Sequence, residues 1–365
     1  MVDSAIACAL QRHVDQFLTK HPESPSASLL VETPAFVWKG ASGLSDPEGA
    51  IPMQADDFIY IASVAKTMTA TIALRLAEEG ALELDQGLSE YLPGQLLDGL
   101  HRFEGRSYDE KITVRHLLGH TSGLADSFGS PGFMDLIAGN PDRLWQPEET
   151  VEFIKDHCAP LFAPGTGFNY SDVNYNLVGL AIESVTGASL DDAYRRYIYE
   201  PLGLQSTYRR FVEVPRSGGP SRAAHVFHGD IDFTAWRALT ADWAGGGLDS
   251  TPEDLNRFLR ALAHDDVFRE APTRETMFRW RDWSGNASYG LGVIRFDLDQ
   301  DPDASRHGIG EIWGHMGASS CFMFYWPTVD ASFCGTFNQV ACERAIIPFV
   351  ADLMVLIQSH GTTAA

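Results

Sequence analysis

The sequence predicts a mixed fold, α/β in content and α+β in arrangement: one sheet assembled from both ends of the chain, flanked by helices, with a mostly helical segment inserted between. Strand-like runs occur between residues 28 and 61 and again between 288 and 337. From Leu82 to about Val214 strand signals are scarce and helix signals recur. The 365 residues are long for one compact unit, which favours one large domain or two intimately joined ones. The expected division is residues 1–80 with 245–365 as one α/β part, and 81–244 as the helical part.

Taken in order, Met1 to Leu18 reads as an amphipathic helix, without the basic start of a signal peptide. Ser28 to Trp38 is rich in Leu, Val and Phe, and Gly40-Ala41-Ser42-Gly43 predicts a turn into a second strand. Phe58 to Ile61 enters next, and Thr67 to Glu79 forms a buried helix stopped by Gly80. Inside the helical part, helices are expected from Thr113, over Pro147 to His157, over Asn174 to Val185 up to Gly187, and over Leu190 to Tyr199 up to Pro201. Ser217 to Trp243, with Pro220, His225, His228 and Trp236, has the character of a long functional loop. Thr251-Pro252-Glu253 starts a helix to Ala263. Strands follow over Ser288 to Phe296, Ile312 to His315, Ser320 to Trp326 and Ala331 to Phe337, before a last helix from about Ala345 to Ile357.

Composition excludes several classes. With 49 acidic against 27 basic residues the chain carries a formal charge of -22, a surface that repels phosphate backbones and anionic lipid. Neither nucleic acid nor membrane is an expected partner. Five cysteines without a C-x-x-C pair fit reduced thiols, and so a cytoplasmic location, better than a disulfide framework. No cofactor or metal is expected. His225 and His228 lack an evident third ligand, and there is no H-E-x-x-H, Walker A or G-x-S-x-G pattern.

The chemistry centres on Ser63-Val64-Ala65-Lys66. Of five lysines only Lys66 has a serine three residues before it, and it sits among Ala62, Val64, Ala65 and Met68. If Ser63 opens the helix, Lys66 lies on the same face and its amine reaches the hydroxyl, which needs a nearby base to become a nucleophile. Pro164-Gly165 makes a turn that delivers Tyr170 just before the next helix, where a phenol near an ammonium falls in pKa and acts as a base. Gly314-His315-Met316-Gly317-Ala318 joins two strands, and its glycine lets the backbone approach a ligand.

In that order and spacing, Ser63-Val64-Ala65-Lys66, Tyr170-Ser171-Asp172 and His315-Met316-Gly317 resemble the three motifs of the serine β-lactamase and penicillin-binding protein superfamily. The branch is that of class C β-lactamases, D-aminopeptidases, D,D-peptidases and family VIII esterases. Ile112 to Leu124, Pro164 to Thr207 and Ala244 to Leu262 carry the likeness further. The resemblance implies a mainly antiparallel sheet. It makes Ser63 the acylated nucleophile, Lys66 its proton acceptor, Tyr170 a proton relay, and the N–H groups of Ser63 and Ala318 the oxyanion hole.

Two positions depart from the pattern. Asp172 stands where this branch usually has Asn; it could pair with Lys66, bind a substrate ammonium, or N-cap the helix beginning at Val173. His315 replaces the lysine of K-T-G and removes a fixed cation suited to a substrate carboxylate. Asp172, His315, Gly317 and Ala318 are therefore the expected substrate-binding and oxyanion residues, and Trp145, Trp236 and Trp243 are candidates to line an acyl pocket. The expected function is a serine hydrolase forming an acyl-enzyme on a small ester or amide, an esterase or D-amino-acid-type amidase. Alternatives are a β-lactamase or D,D-carboxypeptidase, and an acyltransferase or non-turnover acyl-binding protein. Sequence leaves the oligomeric state open.

Overall fold

The computed structural model describes residues 4–218, 223–301, 303 and 306–361; Pro220 of the expected loop lies outside them. Helix α1, Ser4–Lys20, buries Ile6, Leu10, Val14 and Phe17, the spacing of one helical face. Strands β1, Ser26–Glu32, β2, Val37–Asp46, and the short β3, Ile51–Pro52, follow. Near the other end of the chain come β4, Arg281–Ser284, β5, Ala287–Tyr289, β6, Ile294–Asp297, β7, Glu311–Met316, β8, Phe322–Trp326, and β9, Ala331–Thr336. They make one nine-stranded sheet in the order β4-β5-β6-β7-β8-β9-β1-β2-β3, antiparallel at every pairing. The seam between the two ends is β1 against β9, with Ser28 opposite Thr336.

Successive side chains leave a strand on opposite faces, and the two faces have different covers. Ala27, Leu29, Val31, Phe322, Phe324 and Phe333 pack with α1 and the last helix, Ile346–Gly361. Met323, Tyr325 and Cys334 face the other way, into a core that includes Leu255, Leu259 and Leu262 of the helix Pro252–Ala263. That second core also contains α2, Ala65–Glu78, and runs on through the helical part, for example Val173, Leu177 and Val178 of α3, Asp172–Thr186. Between Leu82 and Val214 the structure has helices and only two-residue strands. Among the described residues no helix is long and apolar enough to cross a membrane.

Local chemistry moves several expected boundaries. The first hairpin turns earlier than Gly40–Gly43, which stay inside β2: the Thr33 hydroxyl accepts from the N–H groups of Ala35 and Phe36 and closes the turn there. Ile59–Tyr60 joins a small three-stranded sheet with Leu248–Ser250 and Tyr208–Arg209 rather than the large one. The helix from Leu190 passes Pro201 by way of one wide turn and ends at left-handed Gly203. Residues 288–296 are two strands, since Gly290 donates to the Val293 carbonyl across a tight turn. In that turn Gly292 has φ +79, and a Cβ there would lie 2.4 Å from Ala70 Cβ. Its carbonyl accepts from Thr67 Oγ1 at 2.7 Å, which fixes the sheet edge against the start of α2.

Candidate active site

Ser63 lies in a single 3-10 turn, Ala62–Val64, that runs directly into α2. The expectation put it in the first α-helical turn; a 3-10 turn serves equally, because it eclipses residues three apart. Ala62 has φ +44, a strained conformation for a residue with a Cβ, and it holds Ser63 half-exposed above a buried helix start. Lys66 is wholly buried. Its Nζ donates to Ser63 Oγ at 3.0 Å and to the Gly245 carbonyl at 2.8 Å, and pairs with Asp172 Oδ1 at 2.5 Å. Two of its protons are in hydrogen bonds, and the Asp172 carboxylate meets the charge as an ion pair. Burial disfavours the charge, but the Asp172 carboxylate outweighs it and holds Lys66 well above the ordinary lysine range. In this state Lys66 is a donor to Ser63, not an acceptor.

Asp172 is the first residue of α3, and Ser171 occupies the N-cap, so the Asp172 carboxylate is free of capping. Ser171 Oγ donates instead to the Ala125 carbonyl. Two further acids crowd the lysine. Asp126 Oδ1 accepts from the Asp172 N–H at 3.0 Å, and burial together with the Asp172 charge raises its pKa to about 6. Asp242 Oδ1 lies 4.0 Å from Lys66 Nζ without a hydrogen bond. Burial pushes Asp242 up to about 8 against the pull of Lys66, so it keeps its proton at neutral pH. Gly245 and Gly246 leave room for this carboxyl, since a Cβ on Gly246 would fall 1.8 Å from Asp242 Oδ2. The three glycines are thus a turn shaped around Asp242 and Lys66, not a phosphate cradle.

Tyr170 approaches from the segment before α3. The Lys66 ammonium sits 5.2 Å from its ring centroid, and its hydroxyl interacts with Ser63 and Lys66. Here the expectation fails on one point: burial outweighs the lysine and pushes the phenol far up rather than down, so Tyr170 is a neutral donor at rest. His120 packs against its ring at a 33° tilt, centroids 4.2 Å apart. The His120 Nδ1 accepts from the Ser171 N–H and lies 3.1 Å from Asn174 Nδ2, which sets the turn that carries Tyr170.

The third motif closes the cleft. Gly317 follows β7, and a Cβ on it would lie 2.6 Å from the Ile61 carbonyl and 3.0 Å from Ser63 N. The close approach is to the backbone that carries Ser63, where the expectation was an approach to a ligand; the next residue, Ala318, is exposed. Ser319 Oγ donates to the Tyr60 carbonyl at 2.6 Å and ties the turn to the strand before Ser63. His315 is buried behind this turn. Its Nδ1 donates to the Met316 carbonyl at 2.7 Å, leaving Nε2 to accept from Tyr289 OH at 3.2 Å. Burial and Lys66 lower its pKa to about 3, so the ring is neutral and both nitrogens are taken up within the protein.

The other candidates lie elsewhere. His225 bonds Asp232 beside a small hairpin, Phe227–His228 with Ile231–Asp232, and His228 is exposed. Among the described residues the group of three potential metal ligands is His21, Glu23 and Cys342, and it includes neither. Trp145 and Trp243 are buried, and half-buried Trp236 packs near Phe233. Sequence reasoning passed over Asp126, Asp242, Tyr289 and Trp283. The last is a 40 % exposed indole lying parallel to the Tyr170 ring, 6.2 Å away.

A profile of the family described as Beta-lactamase matches residues 10–345. The chain belongs to the β-lactamase family. Esterase EstB of Burkholderia gladioli is 30 % identical over 362 residues, covering 88 % of this chain and 88 % of its own. Penicillin-binding protein 4 of Amycolatopsis lactamdurans is 30 % identical over 344 residues, covering 88 % and 82 %. Among solved structures, a D-stereospecific amidohydrolase from Streptomyces sp. superposes with a TM-score of 0.76 at 27 % identity, covering 93 % of this chain and 95 % of that one. With a buried lysine hydrogen-bonded to a half-exposed serine, this member of the family is a serine hydrolase.

Proposed function

We propose that the protein hydrolyses small esters or amides through an acyl-enzyme on Ser63, with Lys66 and Tyr170 moving the protons. The observation that carries this reading is the simultaneous bonding of Lys66 Nζ to Ser63 Oγ and to Asp172. A charged lysine has no lone pair for the serine proton, so one of its protons first passes to Asp172, the nearest carboxylate. The freed amine takes the Ser63 proton as Oγ bonds to the substrate carbonyl carbon. Charge collects on the carbonyl oxygen, which the Ser63 and Ala318 N–H groups receive. Collapse breaks the C–O or C–N bond; the leaving group takes the Tyr170 proton, and Lys66 returns one to Tyr170. Water then repeats the sequence in reverse to release the acid.

In this reading Gly317 sets the distance between the two oxyanion donors, and His315 holds Tyr289 and the turn in place rather than binding substrate. A neutral His315 offers no cation to a substrate carboxylate, which weighs against β-lactams and D,D-peptides. The names of the relatives, an esterase and a D-stereospecific amidohydrolase, support ester or amide substrates. We read residues 1–80 with 245–365 as the part supplying Ser63, Lys66 and Gly317, and 81–244 as the part supplying Tyr170 and Asp172, with the cleft at their seam. Five free cysteines and the acidic surface support a cytoplasmic place and a small-molecule partner, not nucleic acid or membrane.

The test is labelling with a fluorophosphonate in wild type, Ser63→Ala, Lys66→Ala and Tyr170→Phe, followed by a panel of short esters, D-amino-acid anilides and nitrocefin. Labelling lost in Ser63→Ala, with ester or amide turnover and no nitrocefin turnover, is the expected result. Nitrocefin as the best substrate would refute it, and product from an added alcohol acceptor would shift the reading to acyl transfer.

A further inference from the structure

Trp283 belongs to neither core of the sheet. Its position comes from an irregularity at the sheet edge. Arg281 pairs with Tyr289 and Asp282 with Ser288, but the next pair is Ser284 with Ala287. Two steps along β4 match one along β5, so Trp283 is an extra residue, a β-bulge. Bulges turn a side chain out of the strand's alternation and gather beside active sites.

The bulge aims the indole at the catalytic phenol. Trp283 is parallel to Tyr170 within 16°, edge-on to Tyr289 at 86° with centroids 6.2 Å apart, and 5.7 Å from Phe168. The Tyr170 ring thus has buried His120 against it at a 33° tilt and the nearly parallel Trp283 beside it at 40 % exposure. A large apolar ring at a cleft mouth loses by its exposure and gains when a flat apolar partner covers it.

We propose that Trp283 is a specificity-determining binding residue which receives a flat aromatic group next to the scissile bond, so that the preferred substrates are aryl-bearing esters or amides. This rests on acylation at Ser63. The indole and Phe168 line one wall, and the substrate ring lies against them while its carbonyl reaches the Ser63 and Ala318 N–H groups.

Two matched pairs test it: ethyl phenylacetate against ethyl butanoate, and benzyl acetate against butyl acetate, followed by pH-stat. Trp283→Ala should lower the aromatic-to-aliphatic ratio of kcat/KM about fivefold to tenfold in at least one pair. Trp283→Phe should keep most of that ratio; Trp283→Leu, apolar but not flat, should lose it, and it carries the comparison if the alanine variant folds poorly. A ratio within twofold of wild type in both pairs overturns the proposal. To separate its failure from that of Ser63 acylation, ethyl phenylacetate is titrated into Ser63→Ala and into Ser63→Ala with Trp283→Ala. Binding weakened by the second change, in a protein whose turnover does not depend on Ser63, would keep Trp283 as the aryl site while refuting the acyl-enzyme. Equal binding in both would refute Trp283 alone.

Discussion

On one face of the nine-stranded sheet, α1 and the last helix cover Ala27, Leu29, Val31, Phe322, Phe324 and Phe333, and Phe17, Phe337 and Phe349 pack ring to ring. On the other face the same sheet leads to a fully buried lysine, three carboxyl groups around it, and left-handed backbone at Ala62, His120 and Trp243. The first face gains from area removed from water and tolerates imprecision. The second spends that stability on charge burial and strain, because a serine and an amine have to meet within hydrogen-bonding distance. Substitutions on the first face should therefore change stability and leave the chemistry of the folded fraction alone; those on the second should change the chemistry, and stability chiefly through the charges and protons buried there.

The largest effect belongs to the apolar face. Phe337→Ala removes a 1 % exposed ring stacked on Phe17 and should cost roughly 3–5 kcal/mol in urea unfolding, with kcat per folded molecule unchanged. A comparable loss of kcat would mean that the two faces are coupled. Gly317→Ala sharpens the contrast from the other side. Its Cβ would press on the Ile61 carbonyl and Ser63 N, and a displaced nucleophile should lower kcat about 10²-fold, with a smaller fall in the unfolding midpoint than Phe337→Ala gives.

Asp242 should show the cost of charge burial directly. Its pKa is raised to about 8 from 3.8, so between those values the folded protein holds a proton that the unfolded chain has released. Stability from this group is full below the unfolded value and is lost as pH rises through the folded one. Asp242→Asn removes that slope. The variant's Tm should exceed wild type by more at pH 8 than at pH 5, and an advantage that shrinks with pH would contradict the assignment. The smallest effect is a displacement of a pH profile. Asp172 holds Lys66 charged, so Asp172→Asn should lower the lysine pKa and move the acid limb of kcat/KM to lower pH. An unmoved limb would assign the limiting proton to another group.

The sequence carried most of what depends on neighbours along the chain. The helix Pro147–His157 matched its expected ends because Pro147 and the Gln146–Glu149 capping box are local signals, and α2 ended before Gly80 for the same reason. The unbroken apolar run of Phe322–Trp326 marked a strand buried on both faces. Asp172 was noticed as a departure, but its partner was open until α3 was seen to start at it. Three things were illegible because they arise only when distant segments meet. One is the bulge at Trp283, which is a property of two strands. Another is the raised phenol of Tyr170, where burial against His120 and Tyr289 outweighs a nearby charge. The last is Asp242, an ordinary acid in sequence that becomes a protonated one only once it is buried near Asp172, against the pull of Lys66.

The central claim is that a covalent acyl group forms on Ser63. Intact-mass and peptide mass spectrometry of enzyme quenched in acid during steady turnover of a short ester tests it most directly. The account predicts a mass increase equal to the acyl group on the peptide containing Ser63, absent from Ser63→Ala together with turnover. Product formed by Ser63→Ala at the wild-type rate, or an acyl group found on a different residue, would contradict it.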